Sequence, residues 1–221
     1  MWGFIGTVIG TLVSIGAVIS IEYLRRPSLR LSIEDPTHDA RYDPPGSRPA
    51  TEVRTLRVTL CNKTLPRWAK WMVRAPPLQC RAAITFHHLV DRQDIFGKAM
   101  DGRWASTPEP VPIAVALANP QGKQLVLIPD PRSWVDVYPG ESELLDIAIR
   151  ADNDAECYGW NNEAYFSSPA WRNANWKLDR GRYLVRVIIT SSGQKCIGWF
   201  SLENSVGRAA FRLEPYSPQS R

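Results

Sequence analysis

Residues able to do chemistry are few and scattered in this chain. His87 and His88 precede Asp91 and Asp94, a grouping that offers metal ligands or an acid–base pair. Adjacent side chains on a strand point to opposite faces, however, so the two imidazoles cannot chelate together. Asp35, His38, Asp39 and Asp43 fall in a proline-rich stretch and read as solvated. Asp152, Asp154, Glu156 and Glu163 fall on calcium-loop spacing, yet Cys157 stands where that loop needs glycine and no helical pattern flanks it. There is no G-x-S-x-G, no phosphate-cradling glycine loop and no nucleophile with a base nearby in sequence. Three histidines in the whole chain leave few general bases. No catalytic, metal or cofactor set is expected, and the chain does not read as an enzyme.

Cys61, Cys80, Cys157 and Cys196 form no C-x-x-C pair and no zinc spacing with histidine. In a reducing compartment they are expected as free thiols, mostly in the core. The formal charge of +5 is mild and partly local to one cluster of arginines, so it is no nucleic-acid signature.

Recognition chemistry is better represented. Residues 152–176 interleave aromatics with amides: Tyr158, Trp160, Asn161, Asn162, Trp171, Arg172 and Trp176. Rigid rings supply contact area and amides supply hydrogen bonds, which suits a partner-binding surface or a small-ligand site; the competing reading folds the rings back onto the core. A second candidate starts at Pro66. Trp68, Trp71, Met72 and Ala75 fall at i, i+3, i+4 and i+7, with Arg67, Lys70 and Arg74 on the other face. This predicts a two-turn amphipathic helix. Trp68 and Trp71 then either cap the core, rest in a headgroup layer or meet a partner.

What positions these residues is an anchor and a β domain. From Trp2 to Ile21 no side chain is charged, and ~20 apolar residues match a ~30 Å hydrocarbon core. With no basic n-region and an apolar run too long for a secretory signal, cleavage is not expected. Arg25, Arg26 and Arg30 follow the run and nothing basic precedes it. The positive-inside rule then puts the N-terminus out and the domain in the cytoplasm, as at a bacterial inner membrane. These arginines are expected at the lipid surface, with Glu22 paired to Arg26 one turn on. Gly3, Gly6, Gly10, Ser14 and Ala17 form a small-residue stripe for packing against another membrane helix or a copy of itself.

Beyond the anchor, alternation predicts strands over 28–33, 53–62, 79–89, 111–117, 123–128, 135–138, 144–150, 183–190, 196–203 and 208–213, with a further short one over 164–167. Residues 34–50 read as a loop, 119–122 as a turn and 191–194 as a hairpin turn. Short strands broken by Pro and Gly, with no long amphipathic helix after the anchor, predict an all-β antiparallel sandwich. Asp179-Arg180-Gly181-Arg182-Tyr183-Leu184-Val185 resembles the D-x-G-x-Y-x-C signature of immunoglobulin-like domains. That resemblance implies an immunoglobulin-like sandwich with Tyr183 as its corner tyrosine, while Val185 removes the inter-sheet cysteine.

The expected organisation is a transmembrane helix over 1–26, the sandwich over 27–213 and a tail over 214–221. The expected function is a single-pass, membrane-anchored interaction module. It would serve as an accessory or structural subunit of a membrane complex, with lipid and other membrane subunits as partners. The alternative is a membrane effector of the bacterial defence type, whose sandwich senses a ligand and whose helix oligomerises to disrupt the bilayer.

Overall fold

The computed structural model describes residues 2–34, 37–42, 51–108, 113–115, 125–127, 132–152, 154–167 and 171–216, with backbone only at 2–9, 42, 113–115 and 125–127. A helix, α1 (Trp2–Arg25), leads into β1 (Leu29–Ser32), β2 (Thr37–Tyr42), β3 (Thr51–Asn62), β4 (Cys80–His88), β5 (Met100–Asp101), β6 (Arg103–Trp104), β7 (Ile113–Val115), β8 (Leu125–Leu127), β9 (Trp134–Val135), β10 (Ser142–Ala151), β11 (Cys157–Gly159), β12 (Lys177–Leu178), β13 (Gly181–Ser191), β14 (Gln194–Asn204) and β15 (Phe211–Pro215). One antiparallel sheet is built on β3 and β10. β1 and β2 share the far edge of β3, and β6 and β11 share that of β10. A second antiparallel sheet runs β15-β14-β13-β4-β5, with β9 also on β4. β7 and β8 pair with each other.

The two sheets share one core. Leu56, Val58, Leu60, Leu145 and Ile147 from the first meet Ile84, Phe86, Val185, Val187, Ile189 and Phe200 from the second. The chain is thus mostly β, with two antiparallel sheets consistent with a β-sandwich. Ala82, Ile84 and Phe86 fill one face of β4 as their alternation predicts. The β13–β14 hairpin closes through Ser192-Gly193, where Gly193 has a φ of 78° that a side chain resists. The Tyr183 hydroxyl donates to the Asp179 carbonyl, four residues upstream, at 3.0 Å.

Several expectations are corrected. Residues 37–42 are strand β2, not loop, because β3 offers them a free edge and Arg54 grips Asp39 through two bonds of 2.8 and 3.0 Å. Residues 162–166 form a 3-10 turn rather than a strand, with the Asn161 side chain accepting from the Ala164 N–H. The short strands β5, β6, β11 and β12 carry too few residues for alternation to register. The 119–122 turn, the 43–50 part of the proposed loop and the end of the tail lie outside the described residues.

A further departure is at β10, which alternation marks as buried on one face only. From Leu145 to Ala151 every residue is buried. The register against β3 shifts between Asp146 and Ala148, a bulge that exchanges the two faces. Ala148 joins the inter-sheet core, while Ile149 and Ala151 turn outward into a second core with Val53, Tyr158, Trp160 and Ala164. At the bulge Asp146 is fully buried, accepting from Arg57 Nε at 2.8 Å and Arg103 Nη1 at 2.7 Å. Arg150 also lies between the sheets, donating to Asn204 Oδ1, the Ser205 carbonyl and the Gly207 carbonyl. Burial lowers its pKa.

Among the described residues no helix is long and apolar enough to cross a membrane. The side chains described in α1 belong to residues 10–25, a shorter stretch than the ~20 residues a span needs.

Replacing Asp146 with Asn is expected to lower unfolding stability by about 3–5 kcal/mol, since it strands the buried guanidinium of Arg103 and the half-buried one of Arg57. Urea titration of purified chain checks this, and a loss below ~1 kcal/mol contradicts it. Asp39 behaves differently. Its hydrogen bond to Arg54, aided by Arg208 against partial burial, lowers its pKa from 3.8 to about 2. The stabilisation it gives is complete above the unfolded value of 3.8 and disappears as pH falls through about 2. Its exposure keeps that contribution small. The stability gap between wild type and Asp39→Asn should therefore close over this acid range and stay constant above it.

Candidate functional site

The recognition loop is where sequence and structure diverge most. Tyr158, Trp160, Asn161 and Trp176 are buried, and Asn162, Trp171 and Arg172 are half-buried. Trp160, Tyr165 and Trp171 pack ring against ring, with centroids 4.9–6.3 Å apart, over the outward face of β10. Trp171 adopts a φ of 65°, unfavourable for a bulky residue. Arg172 is clamped to Asp154 by bonds of 2.6 and 3.0 Å. Asp152 pairs with Arg208 and Glu156 with Lys177. The acidic residues on calcium-loop spacing are thus largely held by cations, and no metal-ligating cluster occurs among the described residues. The rings cover a second core instead of presenting themselves to solvent, so four of the seven proposed contact residues are interior. What remains at the surface is a cleft of about 330 Å³ edged by Asp101, Ser133, Asn162, Glu163 and Phe166.

His87 and His88 are likewise separated by the strand. The His87 ring nitrogens meet Thr85 Oγ1 at 2.8 Å and the Arg92 carbonyl at 3.0 Å.

The 66–75 segment gives the opposite result. It forms one 3-10 turn, Arg67–Ala69, followed by a second turn closed by Met72 N–H on the Ala69 carbonyl, and becomes irregular from residue 73, instead of the predicted two-turn helix. Ala69 and Leu65 are the buried residues, while Trp68 and Trp71 are 68% and 74% exposed. The core-cap reading of both tryptophans is therefore excluded. The helix stops because the following residues are needed elsewhere. The Ala75 N–H donates to the Arg25 carbonyl at 2.7 Å, and Arg74 Nη1 donates to the Arg26 carbonyl. The last carbonyl of α1 and the one just beyond it are satisfied this way.

A second tie comes from Asn62, which is buried at the end of β3. Its Oδ1 accepts from the Ser28 N–H at 3.1 Å and its Nδ2 donates to the Val137 carbonyl at 3.2 Å. The Lys63 N–H donates to the Ser28 carbonyl at 3.0 Å, and the Gly140 N–H to the Asn62 carbonyl at 2.8 Å. The end of α1, the 66–75 segment and the 137–141 turn are thereby joined. Asn62 and Arg74 were not marked as site residues in the sequence. An Asn closing a long strand is a turn signal, but nothing local reveals its distant partners.

Side chains around this junction are basic and aromatic. Arg25 pairs with Glu22 at 3.6 Å, correcting the expected Glu22–Arg26 pair. Arg26 lies over the Tyr23 ring at 5.9 Å instead. Arg30 is exposed on β1, opposite Cys61. Along α1, Leu12, Val13, Ile15, Val18 and Ile19 are all exposed. The Ser14 and Ser20 hydroxyls donate to the Gly10 and Gly16 carbonyls, leaving little unmet polarity on the helix. Ala17 is exposed with them, a Cβ on Gly10 would meet nothing within 4 Å, and the surroundings of Gly3 and Gly6 lie outside the described residues. Over residues 10–25 the helix surface is therefore largely apolar and uncovered, and its end is tied to the segment that carries two exposed tryptophans.

No family model, curated protein or solved structure matches the chain.

Trp68→Ala and Trp71→Ala should leave urea stability within about 0.5 kcal/mol of wild type, as exposed side chains do. Asn62→Ala should cost about 1–3 kcal/mol by orphaning buried partners. Equal losses for all three would show that the tryptophans support the fold after all.

Proposed function

We propose that the chain is a single-pass membrane protein whose β domain is an interaction module, serving as an accessory subunit of a larger membrane complex. The observation that carries this is the pairing of an uncovered apolar helix with a basic, tryptophan-bearing segment tied to its end. An apolar helix surface left bare in water is unfavourable by roughly 25 cal/mol per Å², and a bilayer removes that penalty. Exposed tryptophan and arginine at the helix end suit the headgroup layer, where an apolar body and a polar edge are both satisfied. In this reading α1 is the anchor, Arg25, Arg26, Arg30, Trp68 and Trp71 face lipid, and the domain is cytoplasmic. The small residues of α1 give close approach to a second helix. The sandwich is read as immunoglobulin-like on the strength of the Tyr183 corner bond. Its docking surface is the exposed edge of the 152–176 region, around Asn162 and Phe166.

Alkaline carbonate should leave the chain in the membrane fraction, and mild detergent should release it with a stoichiometric partner. Recovery of a lone monomer contradicts the subunit reading. Topology is read from the thiols, which are all free. Burial pushes their pKa values up, to about 11 for Cys80 and about 12 for Cys157. Cys61 and Cys196 are only half-buried and are the ones to react first. An impermeant maleimide should label them only after the cells are permeabilised. Labelling of intact cells contradicts the cytoplasmic placement.

A further inference from the structure

We propose that a cleft beside the end of α1 binds the phosphate of an anionic phospholipid headgroup; this rests on the membrane reading above. The cleft holds about 340 Å³ and is lined by Leu65, Lys70, Met72, Val73, Arg74 and Pro139, among others. No acidic side chain lines it, so its charge is positive. Arg74 uses one guanidinium nitrogen on the Arg26 carbonyl, and its Nε is buried without a hydrogen-bond partner. Such an orphan donor is unfavourable, and a rotation of the guanidinium that turns it into the cleft would let an acceptor oxygen satisfy it. Lys70 is exposed at the rim and supplies a second cation.

The apolar part of the lining selects lipid over a free anion. Val73 is 72% exposed, and with Met72 it offers a greasy edge to the glycerol and upper acyl carbons. Trp68 and Trp71 stand exposed on the same short segment. Because Ala75 and Arg74 hold the carbonyls of Arg25 and Arg26 at and just past the end of α1, the cleft lies where a helix leaving the bilayer meets headgroups. The carbonyl end of a helix repels anions, but here those carbonyls are already bonded and Arg25, Arg26 and Arg74 surround them. The phosphate is therefore recognised by Arg74 and Lys70 and the lipid body by Met72 and Val73.

The test uses the full chain in nanodiscs of phosphatidylcholine, with and without a minor fraction of phosphatidylglycerol. Hydrogen exchange over 65–74 and retained lipid by native mass spectrometry are read together. Phosphatidylglycerol should slow exchange there about fivefold and be retained preferentially, and Lys70→Gln and Arg74→Gln should each cut retention about fivefold, from ~1 kcal/mol per basic residue. Arg74→Lys should keep most of it. If Arg74→Gln disturbs folding by circular dichroism, Lys70→Gln alone decides. Equal retention of both lipids by a chain that stays in the disc overturns the headgroup site but leaves the anchor standing. A chain that never enters the disc overturns the anchor, and the site with it. In detergent, inorganic phosphate alone should not reproduce the protection; if it does, the cleft is a free-anion site and the lipid assignment is wrong.

Discussion

A buried carboxylate with two arginines organises the first sheet. Asp146 sits on β10 at the bulge, Arg57 comes from β3 and Arg103 from β6. An ionised carboxylate out of water is tolerable only when paired and hydrogen-bonded, so the three strands are held in one relative position. The bulge brings Asp146 to both guanidinium groups and also exchanges the faces of the strand beyond it. The guanidinium of Arg103 further lies over the Tyr165 ring at 5.2 Å, which ties the ion cluster to the outer aromatic layer. Geometry at one carboxylate thus decides that β10 has two cores instead of one.

The outer core explains why an aromatic, amide-rich stretch is largely interior. Once Ile149 and Ala151 face outward, about half of β10 needs cover, and the 154–176 region supplies it with Tyr158, Trp160 and Trp171. The positive φ of Trp171 is the cost of closing that cover over a short span. Capping by Asn161 and Asn173 on the two 3-10 turns satisfies backbone that would otherwise be left bare in a buried loop. Amides that look like ligand contacts in the sequence are partly used for local support.

At the other end of the domain, burial is withheld. The 66–75 segment donates to the carbonyls of Arg25 and Arg26 at the end of α1 and leaves Trp68, Trp71 and Val73 exposed. The two ends of the domain therefore differ in kind: one folds its aromatics inward around an ion cluster, and the other keeps them outside around a helix terminus.

Much of this was legible locally. Alternation located β1, β3, β4, β13 and β14, because each gives one face to the inter-sheet core over most of its length and period two records that directly. The Ser192-Gly193 turn and the bond of Tyr183 to upstream backbone were also readable, since both depend on neighbours within a few residues. The basic and aromatic character of 66–75 was visible, but its conformation was not: amphipathic spacing favours a helix until distant carbonyls at Arg25 and Arg26 claim Arg74 and Ala75. The loop residues fared worst, because composition reports what a side chain is able to contact and not which surface is closer. By itself the sequence determined the β class, the apolar helix and the chemistry at its end. Only the tertiary structure decided which aromatics are buried, because a one-residue bulge beside Asp146, invisible to any local pattern, sets which side of β10 must be covered.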